Sequence, residues 1–340
     1  MTDYSSPLLQ LPGAVPADGS DAGVALHYGD PLREQRALAE RVGWVDRSHR
    51  GVIAIPGADR LTWLHSLTSQ HLTELADGGA TEALVLSPHG HVEHHMQLAD
   101  LGGTTWLDVE PGTVEPLFGY LDSMRFWSAV DPADVSPEHA LVSLVGPQTP
   151  RVLAALGYPD SLPAQGVAPL GRGWVRRMAW PDTDAADLLV PADELTSLAE
   201  RLTAAGAAPA GSWAFEALRV EARRPRIGFE IDHRTIPHEV GWIGIAVHLD
   251  KGCYRGQETV ARVHNLGKPP RRLVLLHLDG SSEEMPAQGT PVISGDRQVG
   301  FVGTAVRHYE LGPIALALVK RNVADDAELQ VAGCAAAVDA

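Results

Sequence analysis

Cysteine is almost absent from this sequence, which has two in 340 residues, Cys253 and Cys334. The two lie far apart and form no C-x-x-C motif, so the sequence encodes neither a disulfide framework nor a cysteine-rich metal site. Cysteine usage of this kind is typical of a protein from a reducing compartment. We therefore expect a cytoplasmic protein.

Basic residues are also few, because 27 Lys and Arg face 43 Asp and Glu, which gives a formal net charge of −16. Such a charge repels nucleic acid and anionic lipid surfaces at long range, so we expect neither as a partner. The sequence lacks the run of roughly 18 apolar residues that a membrane helix needs. The first twenty residues contain no Lys or Arg and match neither a signal peptide nor a transit peptide.

The common catalytic motifs are missing as well. There is no P-loop, no G-x-G-x-x-G after a strand, no G-x-S-x-G and no H-E-x-x-H, so the standard nucleotide, hydrolase and zinc-protease interpretations lose their support. What is present is an ordinary folded composition, with 44% hydrophobic and 21% charged residues. The length favours two or three domains.

Local patterns predict a mixture of helices and strands. Apolar spacing predicts a helix from Leu61 to Leu75, with Asp59 as its N-cap. Two strand-like runs separated by Pro88-His-Gly predict a hairpin over residues 82–98. A strand followed by a short helix is predicted over residues 140–157.

Beyond Arg271 the pattern changes to short strand-like runs divided by turn residues, with no obvious helix. This pattern predicts a small all-β barrel at the C-terminus. The runs cover residues 273–278, 290–293, 299–306, 314–319 and 329–332. Cys334 lies in the Ala-rich stretch that follows, where a structural role is expected.

Glu221 is the first candidate functional residue. At helical spacing it shares a face with Ala214, Ala217 and Leu218, so its carboxylate is expected to point where the apolar stripe points. A carboxylate in that position needs donors, and the two-donor edge of a pterin or a guanine is one match. The alternative is an internal ion pair with one of the nearby arginines, Arg219, Arg223, Arg224 or Arg226.

The stretch KGCYRGQET, residues 251–259, surrounds Cys253 with Lys251 and Arg255 and with two glycines. Positive charges and a helix that begins just after the cysteine favour the reactive thiolate form, and Gln257 and Glu258 predict such a helix. The alternative is that Cys253 is a small buried hydrophobic residue, as most free cysteines are.

The densest histidine cluster is PHGHVEHH, residues 88–95. Strand alternation places His91, Glu93 and His95 on one face, which could supply metal ligands. Neighbours on the same face are nearly 7 Å apart along a strand, too far to converge on one ion without a bend. Solvated or hydrogen-bonded histidines are the favoured interpretation, and no metal is expected.

Three stretches of the sequence, taken together, resemble one family. KGCYRGQET closely resembles the K-G-C-[FY]-x-G-Q-E signature of YgfZ-type folate-binding proteins, which are relatives of the glycine-cleavage T-protein, an aminomethyltransferase. Residues 217–232, ALRVEARRPRIGFEID, are similar to the superfamily pattern L-R-[IL]-E-A-G-x-P-x-x-G-x-[DE]. TIPHE, residues 235–239, is similar to T-[IL]-P-x-E.

The resemblance implies an α+β fold of three domains in a ring around a reduced folate, with a C-terminal all-β barrel. We expect the following divisions: a flexible tail at 1–22, a discontinuous folate-binding domain at 23–48 and 138–265, an inserted α+β domain at 49–137, and the barrel at 266–340.

The resemblance also implies roles for individual residues. Glu221 matches the glutamate that grips the pterin of tetrahydrofolate, and Cys253 matches the hallmark cysteine of the family. We expect Cys253 and Lys251 to take part in chemistry. The other expected contacts with the folate are Arg219, Tyr254, Arg255 and Gln257.

The hairpin departs from the pattern of the T-proteins, which carry G-G-[IV]-x-D-D where this chain has Gly90-His-Val-Glu-His-His95. Both acidic positions become His94 and His95. An imidazole does not reproduce a fixed carboxylate beside an amine cation, so aminomethyl transfer from a lipoyl carrier is not expected.

Three functions remain open at this point. The leading hypothesis is a tetrahydrofolate-binding accessory protein that supports assembly or repair of iron–sulfur proteins, with iron–sulfur proteins or assembly factors as partners. The alternative is a folate-dependent one-carbon transferase or demethylase. The third is a folate-binding module without catalysis.

Overall fold

The computed structural model describes residues 4–158, 162–178, 180 and 183–339. The chain divides into two compact units, each built from several segments. Unit 1 comprises residues 1–65, 71–82 and 96–215, and unit 2 comprises residues 66–70, 83–95 and 216–340. No helix among the described residues has the length and apolar character needed to cross a bilayer.

The helices are short, ten residues at most. The α-helices are α1 Pro31–Glu40, α2 Arg60–Leu67, α3 Val114–Ser123, α4 Thr149–Ala155, α5 Leu195–Ala204, α6 Ser212–Glu221 and α7 Gln257–Leu266. Single turns of 3-10 helix cover Pro7–Gln10, Gly19–Asp21, Ser136–Glu138, Ala192–Glu194 and Pro237–Val240.

The strands are listed in chain order. They are β1 Val15–Pro16, β2 Ala25–His27, β3 Gly43–Asp46, β4 Gly51–Pro56, β5 Gly79–Leu86, β6 Val92–Leu101, β7 Thr104–Val109, β8 Ala133–Asp134, β9 His139–Val145, β10 Val167–Leu170, β11 Gly173–Met178, β12 Ala185–Pro191, β13 Ala208–Ala210, β14 Arg271–Leu278, β15 Pro291–Ser294, β16 Arg297–His308, β17 Gly312–Lys320, β18 Leu329–Val331 and β19 Cys334–Val338.

Unit 1 contains a six-stranded sheet in the order β10-β11-β12-β9-β3-β13. Only β13 and β3 pair in parallel, and the other neighbours are antiparallel. The central strands β3 and β12 are buried at every position, as expected for strands covered on both faces. The predicted strand and helix over residues 140–157 are confirmed as β9 and α4.

A buried ion network accompanies the apolar core of unit 1. Arg176 donates to Asp108 and to Asp187, and Arg50 donates to Asp108 and to Glu110. Burying charges is costly unless each has a partner, and these carboxylates and guanidinium groups supply one another. The network therefore fixes the register of strands that carry it.

The predicted flexible tail at residues 1–22 is wrong for residues 4–22, while residues 1–3 lie outside the described residues. Leu8 is 1% exposed and belongs to the core cluster of unit 1. The Ser6 hydroxyl donates to the buried Asp46 carboxylate, and β1 pairs with β2. Burial of one leucine and pairing of a buried carboxylate hold this segment in place.

A five-stranded sheet has the order β5-β6-β7-β4-β8, and it confirms the predicted hairpin as β5 and β6. The helix predicted to run from Leu61 to Leu75 ends earlier, because α2 stops at Leu67. Its continuation is replaced by sheet-like pairing, since the Ser69 N–H donates to the Leu84 carbonyl at 2.9 Å. The prediction from apolar spacing could not include this long-range bond.

Unit 2 contains a closed six-stranded barrel in the order β14-β17-β16-β15-β18-β19. The prediction of an α+β fold with a C-terminal β-barrel is therefore confirmed. Five of the strands correspond to predicted runs. The sixth, β19, is the Ala-rich stretch that contains Cys334, where sequence analysis predicted a structural role but no strand. The other predicted domain boundaries stay a prediction.

Candidate functional site

Glu221 is the last residue of α6. The helical face predicted for it holds for Ala214, Ala217 and Leu218, which are 0%, 0% and 5% exposed. Glu221 itself departs from that prediction, because its side chain is 45% exposed. At the end of the helix the apolar stripe stops, and the carboxylate remains open to solvent.

The partner of Glu221 is a histidine that the sequence analysis missed. His308 is the last residue of β16, and its Nε2 lies 3.3 Å from Glu221 Oε2. Its Nδ1 accepts from the N–H groups of Glu310 and Leu311 at 3.2 and 3.1 Å, so a neutral ring carries its proton on Nε2. That proton faces the carboxylate, although the angle is not that of a hydrogen bond. The predicted ion pair of Glu221 with a nearby arginine is wrong.

Arg219 lies one turn before Glu221 but is buried, with 3% of its surface exposed. Its guanidinium donates to Glu216 at 2.8 Å, to Glu230 at 3.3 Å and to the Thr304 hydroxyl at 2.6 Å. These partners occupy its donors, so the structure gives no support to the predicted contact of Arg219 with a folate. Instead, Arg219 joins α6 to strand β16 of the barrel.

Glu230 also belongs to this network, and it occupies the final [DE] position of the superfamily pattern given above. It is 0% exposed and accepts from the Arg226 N–H at 2.9 Å and the Thr304 hydroxyl at 2.6 Å. A β-carbon at Gly303 would lie 2.6 Å from Glu230 Oε1, so only glycine fits there. The stretch 217–232 therefore contributes a buried hydrogen-bond network that connects α6 to β16 beside Glu221.

Lys251 is buried, with 4% of its surface exposed. Its ammonium donates to the backbone carbonyls of Thr68 and Gln70. Burial lowers the pKa of Lys251 to about 8. These contacts indicate that Lys251 anchors the loop that carries Cys253, and its predicted part in chemistry has no support from the geometry.

Cys253 is exposed, which contradicts the alternative of a buried structural cysteine. Its neighbour Tyr254 is 8% exposed and packs in an apolar cluster of unit 2, with its ring 5.1 Å from the Lys251 ammonium. Burial raises the pKa of the Tyr254 hydroxyl to about 12. Tyr254 is thus a core residue and not an evident folate contact. Gln257 begins α7 as predicted, and its contact with a folate stays a prediction.

The loop that carries Cys253 packs closely against the tip of the β5–β6 hairpin. Gly256 has φ +84°, and a β-carbon there would lie 2.6 Å from the Ser87 carbonyl oxygen and 2.9 Å from the Cα of Gly90. Gly90 in turn faces Thr259, whose Cβ would lie 2.8 Å from an added β-carbon. The two glycines therefore allow the hairpin tip and the loop to touch backbone to backbone. Gly252, also singled out in the sequence, has no such close neighbour.

Across this contact Arg255 pairs with Glu93, with NH1 at 3.0 Å and NH2 at 3.3 Å from the two carboxylate oxygens. Next to the pair, burial and the charge of Arg255 lower the pKa of His94 to about 4. The imidazole of His94 is therefore neutral at physiological pH. Arg255 is committed to Glu93, so its predicted meeting with a folate carboxylate stays a prediction.

His95 stacks on Trp242, with ring centroids 4.4 Å apart and planes 21° from parallel. Val92 and Met96 are 6% and 0% exposed, in agreement with the predicted alternation along β6. Nowhere in the described ranges do three or more His, Cys, Asp or Glu side chains form a group that could hold a metal ion. Ring stacking accounts for the placement of His95, and desolvation is the main cause of the lowered pKa of His94.

Unit 2 therefore presents two groups of functional candidates. The first is the Glu221 carboxylate with His308 behind it. The second is the exposed Cys253 on a loop that Lys251 anchors and that packs on the histidine-bearing hairpin. No motif surrounds His308 or Trp242 in the sequence, and the predicted strand run 299–306 ends two residues before His308.

Comparison with known families covers most of the chain. Residues 25–251 match the model of the GCVT N-terminal domain, and residues 271–339 match that of the glycine cleavage T-protein C-terminal barrel domain. The second match corresponds to the closed barrel described above.

Individual relatives agree with this result. The chain is 31% identical over 317 residues to an aminomethyltransferase of Geobacillus kaustophilus, covering 88% of this chain and 85% of the relative. It is 28% identical over 306 residues to an aminomethyltransferase of Herpetosiphon aurantiacus, covering 87% and 83%. The crystal structure of glycine cleavage system aminomethyltransferase T from Bartonella henselae has the same fold, with a TM-score of 0.86 at 21% identity over 98% of this chain and 95% of that one. The chain belongs to the glycine cleavage T-protein family.

Proposed function

We propose that this protein binds tetrahydrofolate through Glu221 and acts in folate-dependent one-carbon transfer. The observation that carries the proposal is the Glu221 carboxylate, exposed at the end of α6 at the position that matches the pterin-gripping glutamate of the family. The relatives named aminomethyltransferase support this function better than they support a role in iron–sulfur assembly.

The surroundings of Glu221 fit a pterin. Both carboxylate oxygens can accept from a two-donor N–H edge, because the side chain is 45% exposed and no arginine occupies it. His308 Nε2 lies 3.3 Å from Glu221 Oε2, without the angle of a hydrogen bond, so the carboxylate keeps its acceptor capacity for a ligand. Bound tetrahydrofolate would supply the nitrogen atoms that accept the one-carbon unit.

The hairpin indicates how this chain differs from its aminomethyltransferase relatives. His94 stands where those proteins are expected to carry an aspartate, and its pKa of about 4 resembles that of an ordinary carboxylate. A neutral imidazole with this pKa can accept a proton as a carboxylate does. It cannot stabilise an amine cation by opposite charge. We infer that proton acceptance is retained and that charge pairing with an amine cation is lost.

The test is a turnover assay with purified full-length protein. Tetrahydrofolate is supplied together with aminomethyl donors, which release their amine as the one-carbon unit passes to the folate without oxidation, and formation of methylene-tetrahydrofolate is followed by absorbance and mass spectrometry. The proposal expects product with at least one amine donor and a loss of product in Glu221→Gln. Product formation that is independent of Glu221, or no product with any donor, argues against one-carbon transfer.

A second candidate function is favoured by a separate observation, the exposed thiol of Cys253 in the loop anchored by Lys251. Within the superfamily the KGCYRGQET motif resembles that of YgfZ-type proteins, which supports an accessory role in the assembly or repair of iron–sulfur proteins. A lone cysteine does not hold a conventional four-cysteine cluster, so this role requires ligands from a client protein.

The two candidates are separated by Cys253→Ala. In cells that depend on this protein, the accessory role predicts that the variant loses iron–sulfur enzyme activity and oxidant resistance while the purified variant still binds tetrahydrofolate. Unchanged cellular activities would remove the accessory role. If both turnover and the cellular effect are missing but folate binds, the protein is a folate-binding module without catalysis.

A further inference from the structure

Unit 1 contains a cavity of about 400 Å³ along α1, in a part of the chain that the proposed function does not use. Its volume lies within the range of small-molecule sites, roughly 300–1,000 Å³. Residues of α1 supply part of its lining, and Gly206 together with Ala208 and Pro209 at the start of β13 supply another part.

The α1 wall presents two arginines in register. Arg33 and Ala37 lie on one face of α1, and Arg41, the residue that follows the helix, comes four residues after Ala37 and lines the same cavity. Arg33 and Arg41 are both exposed, whereas Ala37 is 3% exposed. Eight residues of helix correspond to a rise of about 12 Å, so the two positive charges flank a small apolar centre.

Neither guanidinium is neutralised within the described part of the chain, since no hydrogen bond or ion pair joins the side chain of Arg33 or Arg41 to another described residue. Arg36 on another face of α1 differs, because its Nε lies 3.8 Å from Glu40 Oε1.

The two carboxylates that also line the groove accept hydrogen bonds from backbone N–H groups, Asp30 through one oxygen and Glu34 through both. Asp30 caps α1 by accepting from the Arg33 N–H at 3.0 Å. Glu34 accepts from the N–H groups of Tyr28 and Gly211 at 2.7 and 2.9 Å. Their oxygens are held by backbone donors and not by the arginine side chains, so the guanidinium donors remain for a ligand.

A third cation, Arg151, lies beside the lining residue Gly206. A β-carbon at Gly206 would lie 3.2 Å from the NH2 of Arg151, which places that guanidinium beside the glycine. Between the charged ends the groove is lined by small or apolar side chains, Ala37, Val42, Ala208 and Pro209. This arrangement favours a slender ligand with a neutral body and anionic ends.

We propose that the groove along α1 is a second ligand site, for an elongated organic dianion whose two anionic groups pair with Arg33 and Arg41. Carboxylate and phosphate ends both match the planar guanidinium. The site is independent of Glu221 and of the proposed one-carbon chemistry.

The proposal is tested by calorimetry on the full chain at low ionic strength, where charge pairing is least screened. Decanedioate is the main probe, because its length roughly matches the rise of about 12 Å between the two arginines. Decanoate is the matched ligand with one anionic end, and succinate is the short dianion. Fructose 1,6-bisphosphate supplies phosphate ends in place of carboxylates.

We expect saturable one-to-one binding of decanedioate, about tenfold tighter than that of decanoate or succinate, since loss of one charge-assisted pair costs about a factor of ten. Arg33→Gln and Arg41→Gln should each weaken binding about tenfold. Arg36→Gln, on the same helix but outside the groove, should change it less than about twofold. Tighter binding of the bisphosphate than of decanedioate would support the site and identify phosphate esters as its ligands.

Three results would overturn the proposal. They are the absence of saturable binding of both decanedioate and fructose 1,6-bisphosphate, equal affinity for decanoate and decanedioate, and equal weakening of binding by Arg36→Gln and Arg41→Gln. The variants should unfold close to the temperature of the unaltered protein, because the three replaced side chains are exposed and the pair of Arg36 with Glu40 is an exposed one. Loss of binding can then be assigned to the lost charge.

Discussion

Replacing Lys251 by methionine should change how the stability of the protein depends on pH. In the folded chain the ammonium is buried against the carbonyls of Thr68 and Gln70, and burial lowers its pKa from 10.5 to about 8. Methionine keeps much of the length and apolar volume of the side chain but removes the titrating group and the two hydrogen bonds.

The magnitude follows from the shift in pKa. Below pH 8 Lys251 is protonated in both states, so the folded protein bears the full cost of burying the charge. Between about pH 8 and 10.5 the unfolded chain binds more protons than the folded chain, and the free energy of unfolding rises with pH. At 1.36 kcal/mol per pKa unit, this contribution amounts to about 2 kcal/mol between about pH 7.5 and 9.5.

The assay is urea unfolding of the unaltered protein and of Lys251→Met at several pH values in this window. Measurements stop near pH 9.5, because burial raises the pKa of the neighbouring Tyr254 to about 12 in the folded chain, whereas in the unfolded chain this tyrosine titrates near its ordinary pKa of 10. The free energy of unfolding of the unaltered protein should rise by about 2 kcal/mol relative to the variant. Parallel curves for the two proteins would refute the burial of a charged Lys251.

Three further predictions concern the same unit. The His94 imidazole should titrate near pH 4 in NMR spectra and should move towards its ordinary pKa of 6.5 in Arg255→Gln, whereas an unchanged value would remove Arg255 as a cause. Arg219→Met should lower the free energy of unfolding by about 3–5 kcal/mol because it leaves the buried Glu230 carboxylate without its cation, while Arg223→Met, which breaks an exposed pair, should cost less than about 1 kcal/mol. Gly256→Ala should lower the melting temperature of the protein, and it should speed alkylation of the exposed Cys253 thiol because the loop moves away from the hairpin. An unchanged alkylation rate and melting temperature would contradict the close packing of the loop on the hairpin.

Several parts of the fold could be predicted from the sequence, because in these segments the local apolar and turn patterns agree with the tertiary structure. The hairpin, the strand-helix pair around residues 140–157 and five strands of the barrel follow from periodicity and turn residues. The failures have a common cause. The end of α2 at Leu67 depends on a bond from Ser69 to Leu84, and the order of the N-terminal segment depends on Ser6 and Asp46. Such contacts link residues far apart in the sequence.

The sequence motifs pointed to the stretches that form the candidate site, but they predicted the roles of the individual residues less well. The motif around Cys253 led to an exposed thiol, and the helix pattern led to Glu221. Burial distinguishes structural residues from exposed candidates in a way that the sequence does not. Lys251 and Arg219 are charged, yet both are buried and hydrogen-bonded within the protein. His308 could not be found from local sequence, because its position behind Glu221 depends on the packing of α6 against β16.

The central claim is that Glu221 holds a reduced folate, and calorimetric titration with tetrahydrofolate under anaerobic conditions tests it most directly. Glu221→Gln is the test variant, and Glu258→Gln, an exposed carboxylate on α7, is the matched control. The account predicts one-to-one binding that weakens at least about tenfold in Glu221→Gln and stays unchanged in the control. Absence of binding by the unaltered protein, or equal binding by Glu221→Gln, would contradict it.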